Sequence, residues 1–240
     1  SAYPQRSNFV LTDTLLAPYG LRLCGGAVID KSIDTHDYFA QLIAEHEYFC
    51  LEFGEFTNEV INDRDFISEL RKAERAFSVL EIGPREYLNI AVFESAPHPV
   101  GAQMMRAILD AVIDCMEPER PYSVANLKEF GFFDALNDTL LDLGLDDYVC
   151  QSIMMQGYVG GRIKRTSIGE AMLFCKMAGS FSTAGLVDTL VHERGAMSVS
   201  QMAELLYELY GVSIKKPVIR TQIKQVGVRL DRERDMLYPE

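Results

Sequence analysis

The sequence predicts a mainly α-helical protein with small β-hairpins, and three observations carry that expectation. Apolar residues recur at three- and four-residue spacings along much of the chain, the period of a helix with one buried face. Helix-end residues stand at the borders of these stretches: Ser182 or Thr183, the S-x-x-Q run at 198–201, Gly144 and Gly211. Gly25–Gly26 and Gly160–Gly161 each sit between short β-prone stretches, as tight hairpins require.

The elements follow in order. "LTDTLLAPYGLRLCGGAVID" reads as a short helix and then a turn or hairpin at Gly25–Gly26. "THDYFAQLIAEHEYFCLEF" reads as one long helix, with Tyr38, Phe39, Leu42, Ile43, the less regularly spaced Tyr48, Phe49 and Phe53 on its broad apolar face. "RDFISELRKAERAFSVL" is another helix. "YLNIAVFES" is the best strand, β-branched and aromatic, preceded by Gly83–Pro84. "VGAQMMRAILDAVIDCM", "SVANLKEF" and "FFDALNDTLLDLG" read as helices. "YVGGRI" reads as a hairpin and "GEAMLFCKMAG" as one more helix. Three helices then follow within 182–226, and "VRLDRERDMLY" closes the chain as a charged hairpin. Pro217 suits the first position of the third of those helices.

Three helices and a charged hairpin within residues 182–238 resemble the winged helix-turn-helix superfamily. The residues that carry the resemblance are "LVDTLVHERGAMSVSQMAELLYELYGVSIKKPVIRTQIKQVGVRLDRERDMLY", about a quarter of the chain. The resemblance implies a C-terminal winged-helix-like module whose third helix reads DNA. The second helix and turn are longer than in the tightest units of that kind. Upstream, "RPYSVANLKEF" (120–130) echoes "GAMSVSQMAEL" (195–205), so a degenerate winged-helix-like repeat is expected in the middle of the chain. The expected domains are an acidic α-rich (α+β) region over 1–97, a helical unit over 98–165 and the winged-helix-like module over 166–240.

Charge divides the chain as well. The net charge is -12, yet residues 161–240 hold 12 basic and 9 acidic residues, against 11 and 26 in residues 1–160. Such a split suggests two parts with different partners. On the third helix, Lys216, Arg220 and Lys224 are spaced four apart, with Lys215 beside them and no acid on the helix to relieve their repulsion. Lys and Arg suit phosphates, while Thr221 and Gln225 are candidates for base edges. Arg229, Arg232 and Arg234 of the hairpin could reach the backbone, although Asp231, Glu233 and Asp235 dilute them. The expectation is a regulatory DNA-binding protein. A solvated basic face is the plainer alternative, and a protein-protein assembly module is the functional rival. The acidic region would then serve self-association or a protein partner.

The bulk numbers exclude several classes. At 48% hydrophobic and 24% charged the chain has ordinary globular usage. No apolar run approaches the ~18 residues of a membrane helix. "SAYPQRSNFV" has no signal-peptide pattern, and it lacks an initiator Met, which points to processing or to a fragment of something longer. The five cysteines are odd in number, form no CxxC and sit among apolar residues, as buried reduced thiols of a cytoplasmic protein do.

No Walker loop, GxSxG, HExxH or strand-linked GxGxxG occurs, so no enzyme, cofactor or metal is expected. His36 and His46 with Asp37, Glu45 and Glu47 form a conceivable metal cluster, but a solvated helix face is the better reading. "GYVGGRIKR", with Arg162, Lys164 and Arg165, is likewise better read as a basic hairpin end than as a phosphate loop.

Overall fold

The computed structural model describes residues 11–91, 101–131, 133, 147–169, 171–223 and 227–240. Among these residues 49% are helical and 22% lie in strands, and the strands form four small antiparallel sheets. The architecture is therefore mixed α/β, which corrects the expectation of a mainly α protein. The chain divides into two compact units, Ser1–Ser95 and Ala96–Glu240.

The first unit opens with α1 (Asp13–Leu16), a 3₁₀ turn (Ala17–Tyr19) and the hairpin β1 (Leu21–Cys24) and β2 (Ala27–Asp30). Gly25 and Gly26 link these strands at φ 54° and 78°, a turn that favours glycine at both positions. A Cβ on Gly25 would also lie 2.8 Å from Val60 Cγ2. α2 (Thr35–Ala44) follows, capped by the Asp34 side chain, which accepts from the His36 and Asp37 amides.

The long helix expected over 35–53 ends at Ala44. The residues Tyr48–Cys50 form β3, and Phe53 is 82% exposed instead of lying on an apolar face. Phe49 decides the change. As a strand residue it stacks on Tyr87 with ring centroids 5.1 Å apart, and pairing across strands outweighs helical spacing.

α3 (Asn58–Ile61) and α4 (Arg64–Ala76) come next. α4 stops where Phe77 takes a left-handed φ of 55°. β4 (Val79–Gly83) and β5 (Glu86–Asn89) complete a sheet in the order β3-β5-β4. The "YLNIAVFES" strand is realised only at its start, in β5, and residues 92–100 lie outside the described residues. Phe39, Phe49, Phe66 and Tyr87 centre the core, with Phe39 edge-on to Phe66 at 5.7 Å. The first unit sets its helices beside two of the four small sheets.

Glu74 on α4 gives this unit a pH dependence. Burial, and then the nearby Glu81 carboxylate, push its carboxyl up to about 7. The folded state thus holds a proton that the unfolded chain releases near pH 4.5, and stability falls as pH rises from there to about 7. Glu74→Gln is expected to stabilise the protein at pH 8 by ~2 kcal/mol, allowing for partial solvent exposure, and to have little effect at pH 4. Urea melts at the two pH values check this.

The second unit repeats one succession of elements. Its first half contains α5 (Ala102–Cys115), β6 (Pro121–Ser123), α6 (Val124–Glu129), α7 (Asp147–Val159), β7 (Lys164–Ile168) and β8 (Ala171–Cys175). Its second half contains α8 (Thr183–Arg194), β9 (Met197–Ser198), α9 (Val199–Tyr210), α10 (Lys216–Gln222), β10 (Val228–Asp231) and β11 (Met236–Pro239). The sheets have the same strand order, β6-β8-β7 and β9-β11-β10. A capping box opens α6 (Ser123 with Asn126) and another opens α9 (Ser198 with Gln201). The "SVAN" and "SVSQ" echo falls at these two junctions.

The halves are joined through shared packing. Ile168 and Leu173, from the first hairpin, belong to the core formed by α8, α9, α10 and β11. The Thr183 hydroxyl donates to the Ser167 carbonyl at 2.7 Å.

Two expectations change in this unit. "YVGGRI" is not a hairpin: α7 runs to Val159, Gly160–Gly161 form its exit turn, and the hairpin is β7–β8 with Gly169 at φ 62°. "GEAMLFCKMAG" is not a helix either. Leu173, Phe174 and Cys175 are buried in the central strand β8, where both faces are covered and no alternation shows. The expected helix "FFDALNDTLLDLG" lies outside the described residues apart from its second residue, Phe133.

Among the described residues no helix is long and apolar enough to cross a membrane. Cys24, Cys50, Cys150 and Cys175 are buried, while Cys115 is exposed, contrary to its apolar sequence context. Burial pushes the Cys175 thiol up to about 11, so this thiol is not activated.

Candidate nucleic-acid interface

The basic residues of 215–234 gather on α10 and the β10–β11 hairpin. Pro217 is the second residue of α10, in the first turn, where its missing amide needs no intrahelical acceptor. Ile219 and Ile223 point into the core and leave the opposite side to solvent. Lys215, the N-cap, and Lys216 are exposed, as is Thr221, whose hydroxyl donates to the Pro217 carbonyl at 2.8 Å. Arg229, Arg232 and Arg234 are exposed on the hairpin. Arg229 lies over the Tyr238 ring at 5.1 Å, its direct cross-strand partner. Lys224 and Gln225 lie outside the described residues.

Arg220 differs from these cations. Its Nε and Nη2 donate to Asp235 Oδ1 and Oδ2, each at 2.9 Å, in a two-pronged pair. The helix itself carries no acid, but the hairpin supplies one. Sequence reasoning missed this partner because it lies 15 residues on, beyond any helical spacing. The Arg220 hydrogen bonds hold the Asp235 carboxyl below its usual range. Asp231 also has a local task, accepting from the Glu233 and Arg234 amides at 3.0 and 3.2 Å to shape the turn. Pro217, Arg220, Thr221, Leu230, Arg232 and Asp235 line a notch of about 450 Å³ between helix and hairpin.

The two halves of the second unit differ in how they use charge. In the first half Arg120 pairs with Glu117, Lys128 with Asp147, and Arg162 with Asp110. Arg165 lies over the Tyr158 ring at 4.8 Å. The "GYVGGRIKR" cations are thus largely engaged with their own surroundings. In the second half Lys215, Lys216, Arg229, Arg232 and Arg234 enter no salt bridge among the described residues.

The histidines of the first unit do not gather. His36 Nδ1 lies 2.7 Å from Glu69 Oε1 on α4, and His46 faces Glu55 at 3.6 Å. Burial opposes ionisation of Glu69, but hydrogen bonds from Lys72 and His36 outweigh it and hold the carboxyl below its usual range. Among the described residues no group of three or more His, Cys, Asp or Glu side chains could hold a metal ion.

Comparison with protein-family models, with curated proteins and with solved structures returns no match.

Proposed function

We propose that this chain is a cytoplasmic, regulatory DNA-binding protein that contacts duplex DNA through residues 182–238, in the manner of a winged helix-turn-helix. The observation that carries the reading is the set of exposed cations on α10 and its hairpin that enter no salt bridge among the described residues. Like charges held close repel one another, and a polyanion relieves the repulsion. Lys215, Lys216, Arg229, Arg232 and Arg234 supply phosphate contacts, and Thr221 is the described candidate for a base edge. The reading is not catalytic. The acidic first unit serves self-association or a protein partner.

Fluorescence anisotropy of a 30-base-pair duplex of about mixed composition, titrated at several salt concentrations, tests the reading. Binding is expected to weaken steeply with salt, with a slope of about -0.9 for each phosphate neutralised. No binding at low salt by the folded protein would sink it.

A second reading, assembly with another protein, is favoured by a different observation. A groove of about 750 Å³ opens where the halves of the second unit meet, with Val124, Ala125, Met172, Tyr210, Val212 and Val218 on its walls. A protein partner seated there would show no such salt slope.

A further inference from the structure

We propose that the notch between α10 and the β10–β11 hairpin is a site for one backbone phosphate, and that Asp235 fills it as an internal anion until DNA arrives. The inference rests on the DNA-binding reading and deepens it.

The geometry is the first argument. Arg220 presents Nε and Nη2 to two oxygens of a single anionic group, both at 2.9 Å. A guanidinium takes two oxygens of a phosphate with the same fork. The walls suit such a ligand: Arg232 adds a second cation with no salt bridge among the described residues. Pro217 and Leu230 supply the apolar part of the lining.

Energetics make the exchange easy. The side chains of Arg220 and Asp235 are 42% and 32% exposed, so the pair is a surface one. Such pairs contribute little to stability, because water solvates both partners well when they part. A phosphodiester carries the same single negative charge as the carboxylate it replaces. Arg220 keeps a two-pronged partner throughout, and Asp235 turns to solvent.

The third argument is the residue itself. Asp235 sits at φ 54°, where glycine or asparagine would serve the turn equally well. The backbone therefore does not require a charge at this position. What the carboxylate adds is competition for Arg220, and near the DNA it adds repulsion.

The test is a double-mutant cycle read by the same anisotropy titration. Asp235→Asn keeps the left-handed preference and removes the charge. Asp235→Gly removes the side chain as well and serves as a second variant should asparagine still hold Arg220. Both are expected to bind the duplex about threefold to tenfold more tightly than the parent. In an Arg220→Ala background most of the gain should vanish, because the carboxylate then has no guanidinium to withhold and only its repulsion of the DNA is removed.

Equal or weaker binding by both variants, with circular dichroism unchanged, overturns the proposal and makes Asp235 a positioning residue for Arg220. A gain that survives Arg220→Ala undiminished also overturns it, since the whole of that gain is then lost repulsion. These results leave DNA binding standing. Absence of binding by the parent and by every variant overturns both readings together. Binding by the Asp235 variants alone supports both.

Discussion

Truncating Leu173 to alanine is expected to cost about 2–5 kcal/mol and to loosen both halves of the 96–240 unit together. Leu173 is fully buried and lies in β8, the central strand of its sheet, opposite Ser123 on one side and Thr166 on the other. It also belongs to the core of the second half, with Val187, Leu190, Met202 and Leu206. A cavity there removes packing from two sets of elements at once. Urea unfolding measures the loss, and hydrogen exchange reports its reach. Amides of α9 should lose protection along with those of β7. If only β7 and its neighbours soften, the halves are energetically separate and the shared core has been overrated. The point bears on function, because α10 is held over the same core through Ile219 and Ile223.

The residues explain which parts of this fold could be read in advance. Helices with a cap and one wet face were legible. The Ser182 side chain does cap α8, accepting from the Gly185 amide at 3.0 Å, and Gly211 ends α9 at φ 65°. The hairpin at 228–239 was legible too, as two apolar ends about a charged turn. Strands buried on both faces were not. "AMLFC" shows no alternation because both of its faces are covered, and its spacing fits a helix equally well. "YFC" at 48–50 was absorbed into a helix because its partner, β5, is some forty residues away in sequence, at Glu86–Asn89. The candidate site divides the same way. Exposure of Lys216 and Thr221 follows from helical spacing, whereas the Arg220–Asp235 pair exists only once the hairpin folds back over α10.

That division leads to the second large effect, a comparison of two matched triple variants. Lys216→Glu, Arg232→Glu and Arg234→Glu together are expected to weaken binding to the duplex at least about a hundredfold, and to make the salt slope shallower by about three. Arg120→Glu, Lys128→Glu and Arg162→Glu change the net charge equally, but at three first-half cations that each already have an acidic partner. Exposed ion pairs contribute little, so this second triple should remain folded. Its binding should fall only by the small amount that long-range repulsion imposes at moderate salt. Equal losses from the two triples would mean that affinity follows net charge alone, with no defined face. A loss confined to the first triple would assign the contact to α10 and its hairpin. The repeated succession of elements would then carry two tasks: the first half supports the core through Ile168 and Leu173, and the second half meets the nucleic acid.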